Sequence, residues 1–269
     1  MAALTPKDFY EQYQNEEISV SPFTSVKMGL LPGQTSLRID TYTIACVPYR
    51  LAMSNAKYLA SFSREEMAFF QRYMKGLIGV TQHIQPANSL QPIKIFARCT
   101  MQNLMPMPGR ETVGIISVEW KPCPPDLIAM IGDYLMLLER LKQEYGNTEY
   151  QPVPINGPNT QLLGYNNFAE LTIDKAKHRV AVFLLGTNRL DFLIPLNGPP
   201  LDNGQAVMVK LYFKSFQFMA RGKVAEVLKL PNGAQKIRAE LDFCVELVDI
   251  LERFRFAAHF DVKPDGDPA

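Results

Sequence analysis

Short stretches of alternating apolar and polar residues, separated by turn residues, dominate this chain and are interrupted by a few longer stripes of helical period. From Glu16 to Ile44 the alternation, as in Ser36-Leu37-Arg38-Ile39-Asp40, is broken by Pro32-Gly33 and predicts short strands joined by turns. Ser63-Arg64-Glu65-Glu66 has the spacing of a capping box, because the Ser63 hydroxyl can accept a backbone N–H while Glu66 reaches back to the Ser63 amide. Met67, Phe70, Met74 and Leu77 then fall at helical spacing, with Gly76 and Gly79 marking the end. Strand pattern resumes at Ile93 to Met101 and Val113 to Trp120 around the turn Met107-Pro108-Gly109-Arg110. Pro124-Pro125-Asp126 starts a second helix, whose face of Leu127, Met130, Ile131, Tyr134, Leu138 and Leu141 runs to about Glu144.

The segment 146–164 is polar and rich in Gly, Pro and Asn, and reads as an interdomain linker. Beyond it, strands are expected at Ala169 to Ile173, His178 to Leu185, Gln205 to Phe213, Phe216 to Val227 and Gln235 to Phe243. In the third of these Val207, Val209, Leu211 and Phe213 share one face, the core face, and Met208, Lys210 and Tyr212 the other. A C-terminal helix follows, with Leu247, Ile250, Leu251 and Phe254 at i, i+3, i+4, i+7 and Arg253 and Arg255 near its end, where cations suit the helix dipole. The tail from Pro264 reads as frayed.

The two halves echo one another. At an offset of 123 residues, Ala97-Arg98 to Ile131 aligns without a gap on Ala220-Arg221 to Phe254. Pro108 meets Pro231, and Asp126 meets Asp249. Gly114, Ile116, Val118 and Trp120 meet Ile237, Ala239, Leu241 and Phe243. Only four aligned positions are identical, so the weight rests on the shared order of strand, turn, strand and helix.

Composition adds exclusions. With 269 residues the chain is long enough for two cores, and 47% apolar with 20% charged residues is ordinary globular usage. A formal charge of +1 supplies no global field toward nucleic acid or an anionic membrane, either of which would need a local patch, and nucleic acid is not expected as a partner. Asp126 and Asp133 interrupt the best apolar stretch, and Met1 to Phe9 lacks the apolar core of a secretory signal, so a cytoplasmic protein without membrane insertion is expected. Cys46, Cys99, Cys123 and Cys244 lie far apart with no CxxC pair, which points to small core hydrophobes or neutral thiols rather than metal ligands. Gly29 to Ser36 is only a faint phosphate loop: its glycine spacing is one residue short, Gln34 supplies no cation, and Pro32 removes an N–H. No GxSxG, HExxH or GxGxxG occurs, His83, His178 and His259 are isolated, and neither catalytic residues nor a metal are expected.

Gly204-Gln205-Ala206-Val207-Met208-Val209-Lys210-Leu211, then Arg221-Gly222-Lys223-Val224, then Ala239-Glu240-Leu241-Asp242-Phe243 before a final helix, resembles the second half of a PilZ domain. The resemblance spans about Ala169 to Phe256 and implies a six-stranded antiparallel barrel of a family of bacterial cyclic di-GMP receptors found in motility and envelope proteins. With the echo, it implies a mainly β chain with peripheral helices: two PilZ-like barrels in tandem, joined by a helix and linker. The expected division is a PilZ-like domain over 1–145, a linker over 146–164, a degenerate PilZ domain over 165–262, and a tail over 263–269.

Ligand binding in that family rests on an RxxxR stretch before the first strand and a [D/N]xSxxG stretch between strands. Guanidinium forks grip phosphate and guanine edges bidentately and stack on base planes, which lysine cannot copy. No arginine stands between Gly146 and His178, and Arg140 has Glu144 where a partner arginine would be. The second stretch fits best at Asn188-Arg189-Leu190-Asp191-Phe192-Leu193, where Asn188 is retained, Leu190 replaces the serine and Leu193 the glycine. The resemblance therefore implies an adaptor that acts by protein contacts in a flagellar or envelope assembly, without a cofactor and with its cyclic di-GMP motif degraded. The alternative is a cyclic di-GMP receptor in which Arg140, or an anion patch of Arg179, Arg189, Arg221 and Lys223 with Asn188, replaces the missing arginines. Candidate docking surfaces are the helix from Leu135 to Lys142, and the C-terminal helix at Arg253 to Phe256 with Phe256 and Phe260.

Overall fold

A computed structural model describes residues 4–31, 33–86, 90–146, 151–214 and 216–260, with the side chains of 259 and 260 excepted. Pro32, the linker residues 147–150, the Phe260 side chain and the tail lie outside the described residues. The chain divides into two compact units, Met1–Leu137 and Leu138–Ala269.

The first unit opens with two helices, the second of them inside the stretch 16–44 whose alternation predicts strands. Helix α1 (Pro6–Tyr13) is set by a capping box: the Thr5 amide donates to Asp8 Oδ2 at 2.8 Å and the Asp8 amide to Thr5 Oγ1 at 3.3 Å. Strand β1 (Ile18–Ser19) and helix α2 (Pro22–Lys27) follow, the helix capped by Ser21 with Pro22 in its first turn. Six residues are too few for a periodic signal, so only the cap marks α2 in the sequence. Strands β2 (Thr35–Ile39), β3 (Tyr42–Leu51) and β4 (Asn55–Ser61) precede helix α3 (Arg64–Phe70), which carries the expected Ser63–Glu66 box and passes into a single 3-10 turn. Leu77, read as the last helical position, instead begins strand β5 (Leu77–Ile84). Strands β6 (Ile93–Met107) and β7 (Arg110–Trp120) lead into helix α4 (Pro125–Gly146).

The second unit contains β8 (Val153–Pro154), α5 (Gly157–Leu163), β9 (Tyr165–Ile173), β10 (Ala176–Leu185), β11 (Arg189–Ile194), β12 (Ala206–Phe213), β13 (Gln217–Lys229), β14 (Gln235–Leu241) and α6 (Val245–Phe260). The stretch read as linker thus holds a strand paired to β10 and a helix packed on α6. Asn156 caps α5, and Gly164 at φ +65° ends it in the left-handed conformation that glycine adopts without a Cβ penalty.

Each unit closes an antiparallel barrel of six strands, in the cyclic order β2-β3-β4-β7-β6-β5 in the first and β9-β10-β11-β14-β13-β12 in the second. A seventh, two-residue strand is added at one strand end in each: Ile18 pairs with Leu51 as Val153 pairs with Leu185. Irregularities recur at matching places, between Pro48 and Arg50 and between Val182 and Leu184, and again between Met101 and Asn103 and between Val224 and Glu226. Both first hairpins turn on an aspartate of positive φ, Asp40 and Asp174. Insides are apolar by alternation, with Leu37, Tyr58, Met101 and Ile116 in one barrel and Leu171, Phe192, Val209 and Ile237 in the other all fully or almost fully buried.

The ladders correct the ungapped echo. Ile78 faces Cys99 as Val207 faces Gly222, so the offset of 123 holds for β6 and β13 and places Arg98 with Arg221. Across the hairpin, however, Cys99 faces Trp120 while Gly222 faces Leu241. Trp120 therefore corresponds to Leu241 and Ile116 to Ile237, because the first hairpin is two residues longer. A shift of two preserves which face is inward, which hid the slip. In the helices Leu127 and Leu247 both donate to the residue three back, Pro124 and Cys244, so Asp126 corresponds to Glu246 rather than Asp249.

Candidate functional site

The six sequence-proposed residues lie in the second unit and do not converge. Arg140 on α4 forms a two-point ion pair with Glu252 on α6, Nη1 to Oε1 and Nη2 to Oε2, the latter at 3.2 Å. Arg189 forks its Nε and Nη2 onto both oxygens of Asp191, at 2.8 and 2.6 Å. Asp191 is 2% exposed and also has the Arg238 Nε at 3.7 Å, while Arg238 Nη1 reaches Glu226 at 2.7 Å. Both guanidiniums are held even more firmly protonated by these carboxylates, Arg140 by Glu252 and Arg189 by Asp191.

Arg179 on β10 lies over the Phe168 ring at 5.2 Å and faces Glu170 across the ladder. Asn188, exposed in the turn before β11, accepts the Leu241 amide at its backbone carbonyl. Arg221 and Lys223 do share the exposed face of β13. From Arg221 to the strand carrying Arg179 the sheet takes three steps, about 14 Å at the usual strand spacing. Between Lys223 and Arg189 stands Glu240, which lies opposite each of them in the strand ladder. Leu190 is fully buried in the barrel and Leu193 half-buried. A dimple of about 50 Å³ beside Asp191, Glu226 and Arg238 is the cavity found there.

A larger concavity, absent from the sequence reading, belongs to the first unit. Its volume is about 450 Å³. Helix α4 forms one wall with Asp126, Ala129, Met130, Asp133, Tyr134 and Leu137; the end of α2 and the turn at Gly29 form the other; Ile84, Ile93 and Ile95 form the floor. Gly29 is required, since a Cβ there would stand 2.2 Å from the Gln85 carbonyl oxygen. The glycine that only faintly suggested a phosphate loop thus serves a close backbone approach. Partial burial raises the Asp133 carboxyl above its ordinary range. The α4 wall runs at i, i+3, i+4, i+7, i+8 and i+11, and it shares only Met130 and Tyr134 with the face of Leu127, Met130, Ile131, Tyr134, Leu138 and Leu141 that the sequence periodicity picks out. Burial pushes the thiols of Cys46, Cys99, Cys123 and Cys244 each up to about 12. Among the described residues no group of three His, Cys, Asp or Glu stands close enough to hold a metal, and no helix is long and apolar enough to cross a membrane.

Residues 5–138, almost the whole first unit, match the family model of the PilZN3 domain. The second unit repeats the strand order and register of the first. The chain is a tandem PilZ-type protein. Solved structures similar to it include PlzA of Borreliella burgdorferi in complex with c-di-GMP, at 14% identity over 93% of this chain and 97% of that one, with a TM-score of 0.45. Another is the Bacillus subtilis inhibitor of motility MotI/DgrA, at 8% identity over 86% and 99%, TM-score 0.31. YcgR of Escherichia coli in complex with c-di-GMP gives 10% identity over 87% and 86%, TM-score 0.31. No curated protein matches the sequence. The concavity between α2 and α4 lies within the residues that match the PilZN3 domain, and the six proposed residues lie in the second unit.

Proposed function

We propose that this PilZ-type protein is a non-catalytic adaptor that acts through protein contacts in a bacterial motility or envelope-associated assembly, and that its second barrel does not take cyclic di-GMP through the family's arginine pair. The observation that supports this is the engagement of Arg140 by Glu252 and of Arg189 by the buried Asp191. A guanidinium already forked onto a carboxylate must give up that pair to grip a phosphate. The motility or envelope setting follows from the family resemblance.

Calorimetric titration of the full chain with cyclic di-GMP tests the ligand part. No saturable heat is expected; saturation at micromolar or tighter concentration overturns it. The competing reading is favoured by Arg221 and Lys223, exposed on one strand face without an ion-pair partner among the described residues. It requires that such heat be present and that Arg221→Ala remove it.

A further inference from the structure

The barrels share a frame closely enough that each position of the PilZN3 concavity has a counterpart in the second unit. Ile84, Ile93 and Ile95 correspond through the ladders to Phe213, Phe216 and Phe218. Those three rings stack on one another, with centroids 5.6–6.0 Å apart and planes within 26°. On the helix, Ala129 and Met130 correspond to Asp249 and Ile250, which are 3% and 4% exposed on α6, the helix that α5 packs against. In the second unit α5, the counterpart of α2, packs on α6, and phenyl rings fill the corner below. In the first unit the isoleucines leave the corner unfilled, Ala129 and Met130 stay half-exposed, and about 450 Å³ remains between α2 and α4.

The open face has the character of a docking site. Its α4 wall runs from Asp126 to Leu137, about 16 Å at 1.5 Å per residue, which is three helical turns. Small Ala129 lies one turn in from Asp126, where a second helix can approach closely. Asp126 and Asp133, about two turns apart on the α4 side of the rim, form no ion pair among the described residues, and Lys27 lines the opposite side. Asp126 suits the helix N-terminus, but Asp133 sits mid-helix with no such compensation.

We propose that the concavity between α2 and α4 receives an amphipathic helix of a partner protein, apolar on the entering face and carrying lysine or arginine along the edge that meets Asp126 and Asp133. Three observations lead to that occupant: α5, the second unit's counterpart of α2, packs on α6 whereas α2 leaves an opening beside α4, the stripe has helix length and period, and the α4 side of the rim carries two aspartates, with Lys27 on the α2 side. This rests on the adaptor reading and names the chemistry of its partner.

The test uses the full chain and fluorescence anisotropy with labelled 16-residue helical peptides: one with leucine anchors and flanking lysines, one with glutamates in place of the lysines, and one with serines in place of the leucines. Saturable binding of the first alone is expected. Asp126→Asn with Asp133→Asn should weaken it about tenfold, the worth of two partly exposed ion pairs, and raised salt should do likewise. Ala129→Lys, which places bulk and positive charge on the wall, should abolish it, with Trp120 fluorescence confirming the fold. Ile93→Phe with Ile95→Phe, which copies the second unit, should also abolish it. Equal binding of all three peptides, binding indifferent to the exposed substitutions, or no binding at all overturns the proposal. Cyclic di-GMP calorimetry on the same preparation reports separately on the adaptor reading, so the failure of either is distinguishable.

Discussion

The two barrels agree in strand order, register, irregularities and added strand, and disagree in what fills three places: the corner under the final helix, the third strand, and one buried cross-barrel pair. The backbone frame tolerates these differences because each replaces one satisfied set of side chains by another of similar volume or leaves surface behind. At the corner the second unit stacks Phe213, Phe216 and Phe218 where the first has three isoleucines bordering an opening. Closure of that corner is thus a property of side chains, and a PilZ-type frame can present or withhold the face.

The largest effect that would sharpen this comparison is expected at Phe213, which is 5% exposed and contacts both neighbouring rings. Phe213→Ala should destabilise by about 3–5 kcal/mol, a lost ring plus the cavity it leaves. Ile84→Ala, at the corresponding position beside an existing opening, should fall toward the low end of the roughly 2–5 kcal/mol range for aliphatic truncation. Urea unfolding followed by far-UV circular dichroism compares them. Equal costs would show that the aromatic stack contributes nothing beyond ordinary burial.

At the third strand the second unit buries Asp191 under Arg189, where the first carries Lys57 opposite Glu17 and Asn55 beside it. Arg189→Ala should cost about 2–3 kcal/mol, because a carboxylate 3% exposed loses two charge-assisted hydrogen bonds and keeps only the more distant Arg238. Asn55→Ala should change stability by less than about 0.5 kcal/mol. A cost below 1 kcal/mol for Arg189→Ala in the same urea assay would release that arginine for ligand binding and weaken the adaptor reading.

Much of this frame was legible in the sequence, for physical reasons visible in particular residues. The period-two alternation of Val207, Val209, Leu211 and Phe213 fixed an inward face, and the Ser63–Glu66 box fixed a helix start. The short α2 and the two-residue β1 and β8 were not legible, because so few residues carry no periodic signal and are held by pairing to β3 and β10. Asn156 and Gly164 did bracket α5, but their Gly, Pro and Asn neighbours have the composition of a loop. The open corner was hidden for a different reason. Met130 shares a helical stripe with Leu127 and Ile131, and only packing separates these two buried residues from Met130, which stays half-buried at the concavity. Likewise Arg189 looked like a free cation until the fold placed the buried Asp191 two residues along the same strand.

A smaller effect distinguishes the barrel interiors. Tyr58 and Gln82 form a buried pair, Gln82 Nε2 donating to the Tyr58 hydroxyl at 3.0 Å, where the second unit has Phe192 and Leu211. Tyr58→Phe leaves the Gln82 amide, 1% exposed, without that acceptor and should cost about 1–3 kcal/mol. Combining it with Gln82→Leu recreates the second unit's pair and should recover most of the loss, since removing both partners is nearly neutral. Trp120 is the only tryptophan and lies in the first unit, so its fluorescence reads this cycle there. A double variant no better than the single one would show that the two interiors are not interchangeable.

The smallest difference concerns pH. Glu17 is held by Arg50 and by Lys57, the latter at 3.2 Å, and these bonds, Arg50's foremost, depress its carboxyl below the ordinary range. The positions corresponding to Glu17, Arg50 and Lys57 in the second unit are Pro152, Leu184 and Asp191, so no such cluster exists there. A carboxyl with a depressed folded pKa contributes stability above its unfolded value, near 4.3, and loses it as pH falls through the folded value. With Glu17 about one-third exposed, solvent screening limits the contribution to about 0.2–1 kcal/mol. Glu17→Gln should therefore lower stability by that amount at pH 7, by the same amount at pH 6, and by progressively less below about pH 4.3 as the wild-type carboxyl also becomes neutral. Added salt should shrink the neutral-pH difference. Urea melts read by Trp120 at several pH values measure it in the first unit, and a difference that grew toward acid pH would reverse the sign of the linkage and remove Glu17 as a source of the contrast between the barrels.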